Sequence, residues 1–443
     1  MSAVRPVRKV TPMFHMSWFC TTGFGVYGWN QPWSGNVPKD VGNPQLFKDL
    51  ATSLERACFD YVMLEDSSTM PDVFRGDMSH SLATGVVRFD PMPLVPLLAG
   101  VTKKLGIVAT AATTFYPPFL AARLMTTLDH ISEGRVGINL VTASPHAAAQ
   151  NYGYDHHFEH DLRYRMADEW VRATKSLWDG WEDGALVCDE ATGVFADHVK
   201  VHYSNFEGEF YKTRGPLNVP PGPQRYPVFC QAGGSTAGME FGAKHADTII
   251  AQMNDPASAK RYRDEISRLA ESFGRNPRDI KVLMLTQPVL GDTDEDAQIK
   301  NERNQEMTDE KLQLILSGLS YTSGKDFSAY DLDAPAPDLT GQSNGHKSTT
   351  DIFSKNARGK TLREALRYRA VIGANFVGSA ETVADQMQDW VEQGGGDGFL
   401  VALPVTRKNI TEICDGLAPV LRRRGLMRDS YEHATFRENL LAF

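Results

Sequence analysis

The stretch Leu105 to Val141, "LGIVATAATTFYPPFLAARLMTTLDHISEGRVGINLV", decides the fold. It opens on a near-continuous apolar run, LGIVAT (105–110), and closes on another, RVGINLV (135–141). Such runs fit strands buried on both faces, as in a parallel sheet covered by helices. Between them, prolines 117 and 118 precede a helical stretch over 117–132 that stops at Gly134. The whole is one strand–helix–strand unit.

The unit recurs along the chain. Further strands are predicted at 13–19, 61–65, 227–232, 247–251, 281–290 and 398–403. Helices are predicted at 45–58, 91–103, 160–181, 235–245, 256–273 and 408–424. In 160–181, Tyr164, Ala167, Val171, Thr174, Leu177, Trp178 and Trp181 recur at helical spacing. Eight strands with interleaved helices predict an α/β fold, a (β/α)8 barrel, with an open doubly wound sheet as the alternative. The chain reads as one barrel domain over 1–443 with insertions at about 182–226 and 291–370. The second carries "DAPAPDLTGQSNGHKSTTD" and reads as mobile. Long insertions in such enzymes serve as lids or subunit contacts.

Of 443 residues, 42% are hydrophobic and 23% charged, ordinary for a globular protein. The net charge of −9 argues against nucleic-acid binding, which needs clustered Lys and Arg. Five widely spaced cysteines without a CxxC read as reduced thiols, not a disulfide framework or zinc site. "MSAVRPVRKV" lacks a following signal-peptide core, and "PMPLVPLLAGV" is too short and proline-broken to span a bilayer. A cytoplasmic protein without membrane contact is expected.

Several motifs carry chemistry. "GFGVYG" (23–28) matches GxGxxG, but "WNQPWSG" follows it where a dinucleotide site needs a helix. It reads as an aromatic-rich loop on the active face of a barrel. "PVFCQAGGSTAG" (227–238) is strand, glycine turn and helix start, a cradle for an anion. Ser235 can cap that helix and bind a phosphate; it also stands in a GxSxG-like elbow with His245, His346 and His433 downstream, which leaves a serine hydrolase open. Thr110, Thr113 and Thr114 follow a strand, as does Asp66, whose carboxylate needs a polar partner if buried. In "DHHFEHDLRY" (155–164), no HExxH is present, so no metal is expected. His160 and Tyr164, one turn apart at a helix start, form a polar clamp for an anionic or flavin-like ligand.

Long ordered segments resemble one known family. "TTFYPPFLAARLMTTLDHISEGRVGINLVTASPHAAAQNYG", "EHDLRYRMADEWVRATKSLWDGWEDGAL", "FADHVKVHY", "RGPLNVPPGPQ", "PVFCQAGGSTAG" and "FVGSAETVADQM" look like the bacterial luciferase-like flavin-dependent monooxygenases. The subgroup resembled is that of the nitrilotriacetate, EDTA and dibenzothiophene-sulfone monooxygenases. The resemblance implies a (β/α)8 barrel that binds reduced FMN supplied by a separate NAD(P)H-dependent flavin reductase. Oxygen then forms a flavin (hydro)peroxide that oxygenates or cleaves a small molecule. A homodimer or homotetramer is expected. Matched residue by residue, the FMN contacts fall on Asp66, Thr110, His160, Tyr164 and Ser235, with Asp66 also the candidate for proton handling. Trp18, Phe115 and His146 are expected on the substrate side; His146, in "ASPHAAA", departs from the family pattern, and Trp29 and Trp33 mark a divergent first loop. Sparse Lys and Arg at the strand ends favour a planar, mostly neutral substrate. Flavin cleavage of the riboflavin-lyase kind and deazaflavin (F420)-dependent hydride transfer are the alternatives within the superfamily.

Overall fold

The computed structural model describes residues 13–26, 28–31, 33–342, 347–367 and 373–443. Its centre is a closed barrel of eight strands: β1 (His15–Cys20), β2 (Tyr61–Leu64), β3 (Gly106–Ala112), β4 (Val136–Val141), β5 (Val228–Gln231), β6 (Thr248–Ala251), β7 (Lys281–Thr286) and β8 (Gly398–Val401). Each pairs in parallel with the next, and β1 pairs with β8, so no sheet edge is left open. The open doubly wound alternative is excluded.

Helices follow the strands: α1 (Gln45–Arg56), α2 (Leu94–Ala99), α3 (Pro118–Ile131), α4 (His160–Trp178), α5 (Thr236–His245), α6 (Pro256–Ser272), α7 (Asp309–Ser323), α8 (Lys347–Ala357), α9 (Leu362–Arg367) and α10 (Ala380–Glu392). Every strand lies within a residue or two of its expected place except 281–290. There Pro288 interrupts the ladder, and Val289–Leu290 pairs instead with Val377–Gly378. The predicted helix 408–424 is wound as Arg407–Thr411, a π-helix at Glu412–Leu417, and Ala418–Arg423. Pro419 has no N–H to continue an α-ladder there.

Alternate strand residues face different cores. Met16, Trp18, Leu64, Ile107, Ile138 and Val401 join the layer under the helices, while Tyr61, Met63, Val108, Cys230, Ile250, Leu283 and Leu400 fill the barrel. The bottom of the barrel is stoppered by the short helix Phe436–Leu440, whose Phe436 and Leu440 enter the interior cluster. A Cβ at Gly106 or Gly137 would stand 2.7 Å or 3.2 Å from the Phe436 ring, so these strand glycines make its seat.

The segment 182–226 forms two small antiparallel ribbons, Leu186–Asp189 with Val194–Ala196 and Phe206–Glu207 with Lys212–Thr213. The described part of 291–370 is mostly helical. Leu312, Leu316 and Leu319 on α7 meet Phe327, Phe353, Leu362 and Leu366 in a second apolar cluster, which reaches Phe74 after β2. Residues 343–346, within that stretch, lie outside the described set.

Candidate active site

A cavity of about 320 Å³ lies at the C-terminal mouth of the barrel, where (β/α)8 enzymes carry their chemistry. Phe19, Asp66, Thr110, Asn139 and Gln231 come from five successive strand ends, His160 and Tyr164 from α4, Gly233 to Ser235 from the turn before α5, and Tyr321 from α7. Asp66, Thr110, His160, Tyr164 and Ser235, far apart in sequence, are thus walls of one space.

The turn and α5 make the anion end. Ser235 caps α5, its Oγ accepting from Gly238 N at 3.1 Å. The Tyr164 hydroxyl stands beside Ser235 Oγ over Gly238 at the start of α5, and burial raises the phenol, so it remains a proton donor at neutral pH. A Cβ on Gly233 would stand 2.7 Å from Gly238 Cα, so only glycine leaves the turn this close to the helix. The first N–H groups of α5, unpaired within the helix, and its dipole favour an anion here. His160 packs edge-on to Tyr164 at 5.2 Å and holds Asp161 Oδ1 through Nδ1 at 2.7 Å. A wider groove of about 1030 Å³, shared at His160, Tyr164, Gly234 and Ser235, opens outside this end.

The inner wall carries two amides that the motif reading passed over. Asn139 donates through Nδ2 to Thr110 Oγ1 at 3.0 Å. Its Oδ1 and the Oε1 of Gln231 are buried without a hydrogen-bond partner among the described residues. Both oxygens are shut off from solvent, and Gln231 Oε1 faces Gly242 of α5. Asn in "INLV" and Gln in "VFCQ" are polar breaks in apolar runs, and that was the available signal.

Opposite lie two carboxylates. Burial first, against the nearby Arg88 charge, raises Glu65 to about 7, and Arg88 Nε pairs with it at 2.8 Å. Burial, then the charge of Asp90, raises Asp66 from its ordinary 3.8 to about 6. A carboxyl raised on folding contributes stability below its unfolded value and loses it as pH rises through the folded one. Asp66→Asn therefore raises the melting temperature at pH 8 and leaves it nearly unchanged at pH 4, read by thermal denaturation at both values; a pH-independent shift would contradict the burial of this charge.

Of the three residues expected on the substrate side, Trp18 and Phe115 do not line the cavity and His146 lines the chamber beside it. Trp18 is buried under the helices because position 18 faces outward on β1; its neighbour Phe19 faces the cavity. Phe115 stacks on Tyr152 at 4.3 Å and on His157 at 5.5 Å and does not line the cavity. His146 is exposed and lines an adjoining outer chamber, its Nδ1 accepting from His157 N at 3.2 Å. Thr113 and Thr114 turn away and bond to the carbonyls of Val141 and Thr142. Trp33 is 90% exposed. "GFGVYG" is a loop with no helix after it; Gly23 bends at φ 56° against the Glu65 carbonyl, and Tyr27 lies outside the described residues.

No imidazole is placed on Ser235 among the described residues. His245 ends the helix that Ser235 begins, about 15 Å along, and binds Asp168 at 2.8 Å. His433 lies at the barrel's other end, beside Asn439, and His346 is outside the described residues. Among the described residues no group of three or more His, Cys, Asp or Glu is placed to hold a metal ion, and no helix is long and apolar enough to cross a membrane.

Comparison with known proteins agrees with the barrel fold. The model of the family described as luciferase-like monooxygenase matches residues 15–398. An N-acetyl-S-(2-succino)cysteine monooxygenase of Bacillus subtilis (strain 168) is 38% identical, over 94% of each chain. A dimethyl-sulfide monooxygenase of Hyphomicrobium sulfonivorans is 37% identical, over 90% of this chain and 83% of that one. The crystal structure of a riboflavin lyase with modified FMN and its substrate riboflavin superposes with a TM-score of 0.86 at 29% identity, over 98% of this chain and 96% of that one.

Proposed function

Since the chain belongs to the luciferase-like monooxygenase family, we propose that it is the oxygenase of a two-component system. It takes reduced FMN from a separate NAD(P)H-dependent reductase and oxygenates or cleaves a small, planar, mostly neutral heteroaromatic molecule. The observation that carries the FMN reading is the glycine-turn anion cradle at one end of a cavity whose other walls carry the polar side chains of Thr110, Asn139, His160 and Tyr164. Ser235, Tyr164 and the start of α5 would hold the phosphate; His160, Thr110 and Asn139 would hold the polar parts of the flavin. Bound reduced FMN supplies the activation of oxygen, one atom of which passes to the substrate.

The chain's own residues do the rest. Asp66, poised to exchange a proton near pH 6, can hold or release one at its carboxyl oxygen beside the substrate. Phe19 and the flanking strand ends exclude water. The cavity lining contains Glu65 and Asp66 but no Lys or Arg among the described residues. That lining repels a polycarboxylate, which supports an uncharged substrate.

Flavin cleavage of the riboflavin-lyase kind is a second reading. It is favoured by the outer chamber of about 510 Å³ that adjoins the cavity, large enough for a second ring system. The test is oxygen uptake and product mass with FMN, NADH, a flavin reductase and a panel of dibenzothiophene sulfone, dimethyl sulfide, riboflavin and nitrilotriacetate. Oxygen-dependent conversion of a neutral member is expected. Conversion of nitrilotriacetate alone would refute the substrate reading, and turnover without oxygen uptake, as for a deazaflavin enzyme, would refute the oxygenase itself.

A further inference from the structure

Two cavities meet at a shared wall. The inner cavity and the outer chamber, about 320 and 510 Å³, share Tyr321, Ser144 and Pro145 in their walls. Of these, only Tyr321 comes from the insertion between β7 and β8, near the end of α7. Its hydroxyl bonds Ser67 Oγ at 2.9 Å, next in sequence to Asp66, and it stands near enough to Glu65, Asp66 and Arg88 to feel their charges. The far side of the outer chamber is lined by Thr69 to Val73, His146 and Lys325.

We infer that Tyr321 is a partition: it closes the inner cavity toward the outer chamber and controls which solutes reach a flavin bound inside. The inference rests on the proposed FMN site. A large ring pinned at its hydroxyl by Ser67 is a rigid wall, because both ends of the side chain are fixed. Replacing it with a methyl group joins the two spaces, whereas the ring of phenylalanine retains the wall and loses the Ser67 bond.

The probe is iodide quenching of the fluorescence of FMN bound to the full chain. Tyr321→Ala is expected to raise the quenching constant at least ~3-fold, since burial of most of a ligand's surface is what shields it. Tyr321→Phe stays near wild type, and Tyr321→Trp, which thickens the wall, falls at or below it. Quenching is read with FMN saturating each variant, the phosphate end being untouched in all three. Equal quenching of tightly bound FMN in Tyr321→Ala and wild type overturns the partition alone. Should Tyr321→Ala not fold, quenching of Tyr321→Trp above wild type overturns it and quenching below supports it. Failure of the wild-type chain to bind FMN overturns the underlying site, and the partition with it.

Discussion

The Ser235→Ala, Tyr164→Phe double variant is expected to bind reduced FMN about 100-fold more weakly than the wild-type chain, each hydroxyl bond to a charged group being worth about 1.5 kcal/mol or more. The two hydroxyls meet at the start of α5, where Ser235 also satisfies Gly238 N. Removing them takes away two donors to a phosphate and leaves the helix dipole and the backbone N–H groups in place, so binding weakens without vanishing. Loss of the cap costs about 1 kcal/mol of stability by itself, so the variant stays folded. Isothermal titration under anaerobic conditions measures the change. An affinity within twofold of wild type would place the phosphate elsewhere.

Phe436→Ala is expected to destabilise the chain by about 3–5 kcal/mol, the range for emptying a buried aromatic site. The ring is 1% exposed and rests on Gly106 and Gly137. Those two strands have no side chains there to collapse into the hole, so the cavity persists. Thr435 and Glu438 cap the short helix reciprocally and hold the ring in position, so the backbone has little freedom to close the gap. The site at the opposite mouth is a strand's length away, and FMN affinity of the folded variant should stay unchanged. Urea denaturation and flavin titration of the same preparation separate the two effects; a loss below about 1 kcal/mol would show that the stopper is not part of the core.

The barrel was legible because buried parallel strands are written as apolar runs, and all eight stand near their expected places. The direction in which each side chain faces was not. A run buried on both faces has no polar alternation to fix its parity, which is why Trp18 was expected in the site and Phe19 takes its place. The helices of the insertion were not predicted, although Leu312, Leu316 and Leu319 are spaced as one helical face. Residues 380–392 show the same face in Val383, Met387 and Trp390, but they carried only a motif resemblance until the structure gave them a helix. Asp66, Thr110, His160, Tyr164 and Ser235 converge because strand ends and helix starts gather at one mouth. Glu65 and Tyr321 were not legible: their importance lies in contacts with Arg88 and Ser67, which only the fold brings near.

The most direct test compares FMN with riboflavin, which lacks the phosphate, on wild type and on Ser235→Ala. If the turn at 233–235 and the start of α5 hold the phosphate, wild type binds FMN more tightly than riboflavin by ~100-fold, as two or more charge-assisted hydrogen bonds require. Ser235→Ala then narrows that gap by weakening FMN alone. Equal affinities for the two flavins, or a Ser235→Ala effect of the same size on both, would contradict the account.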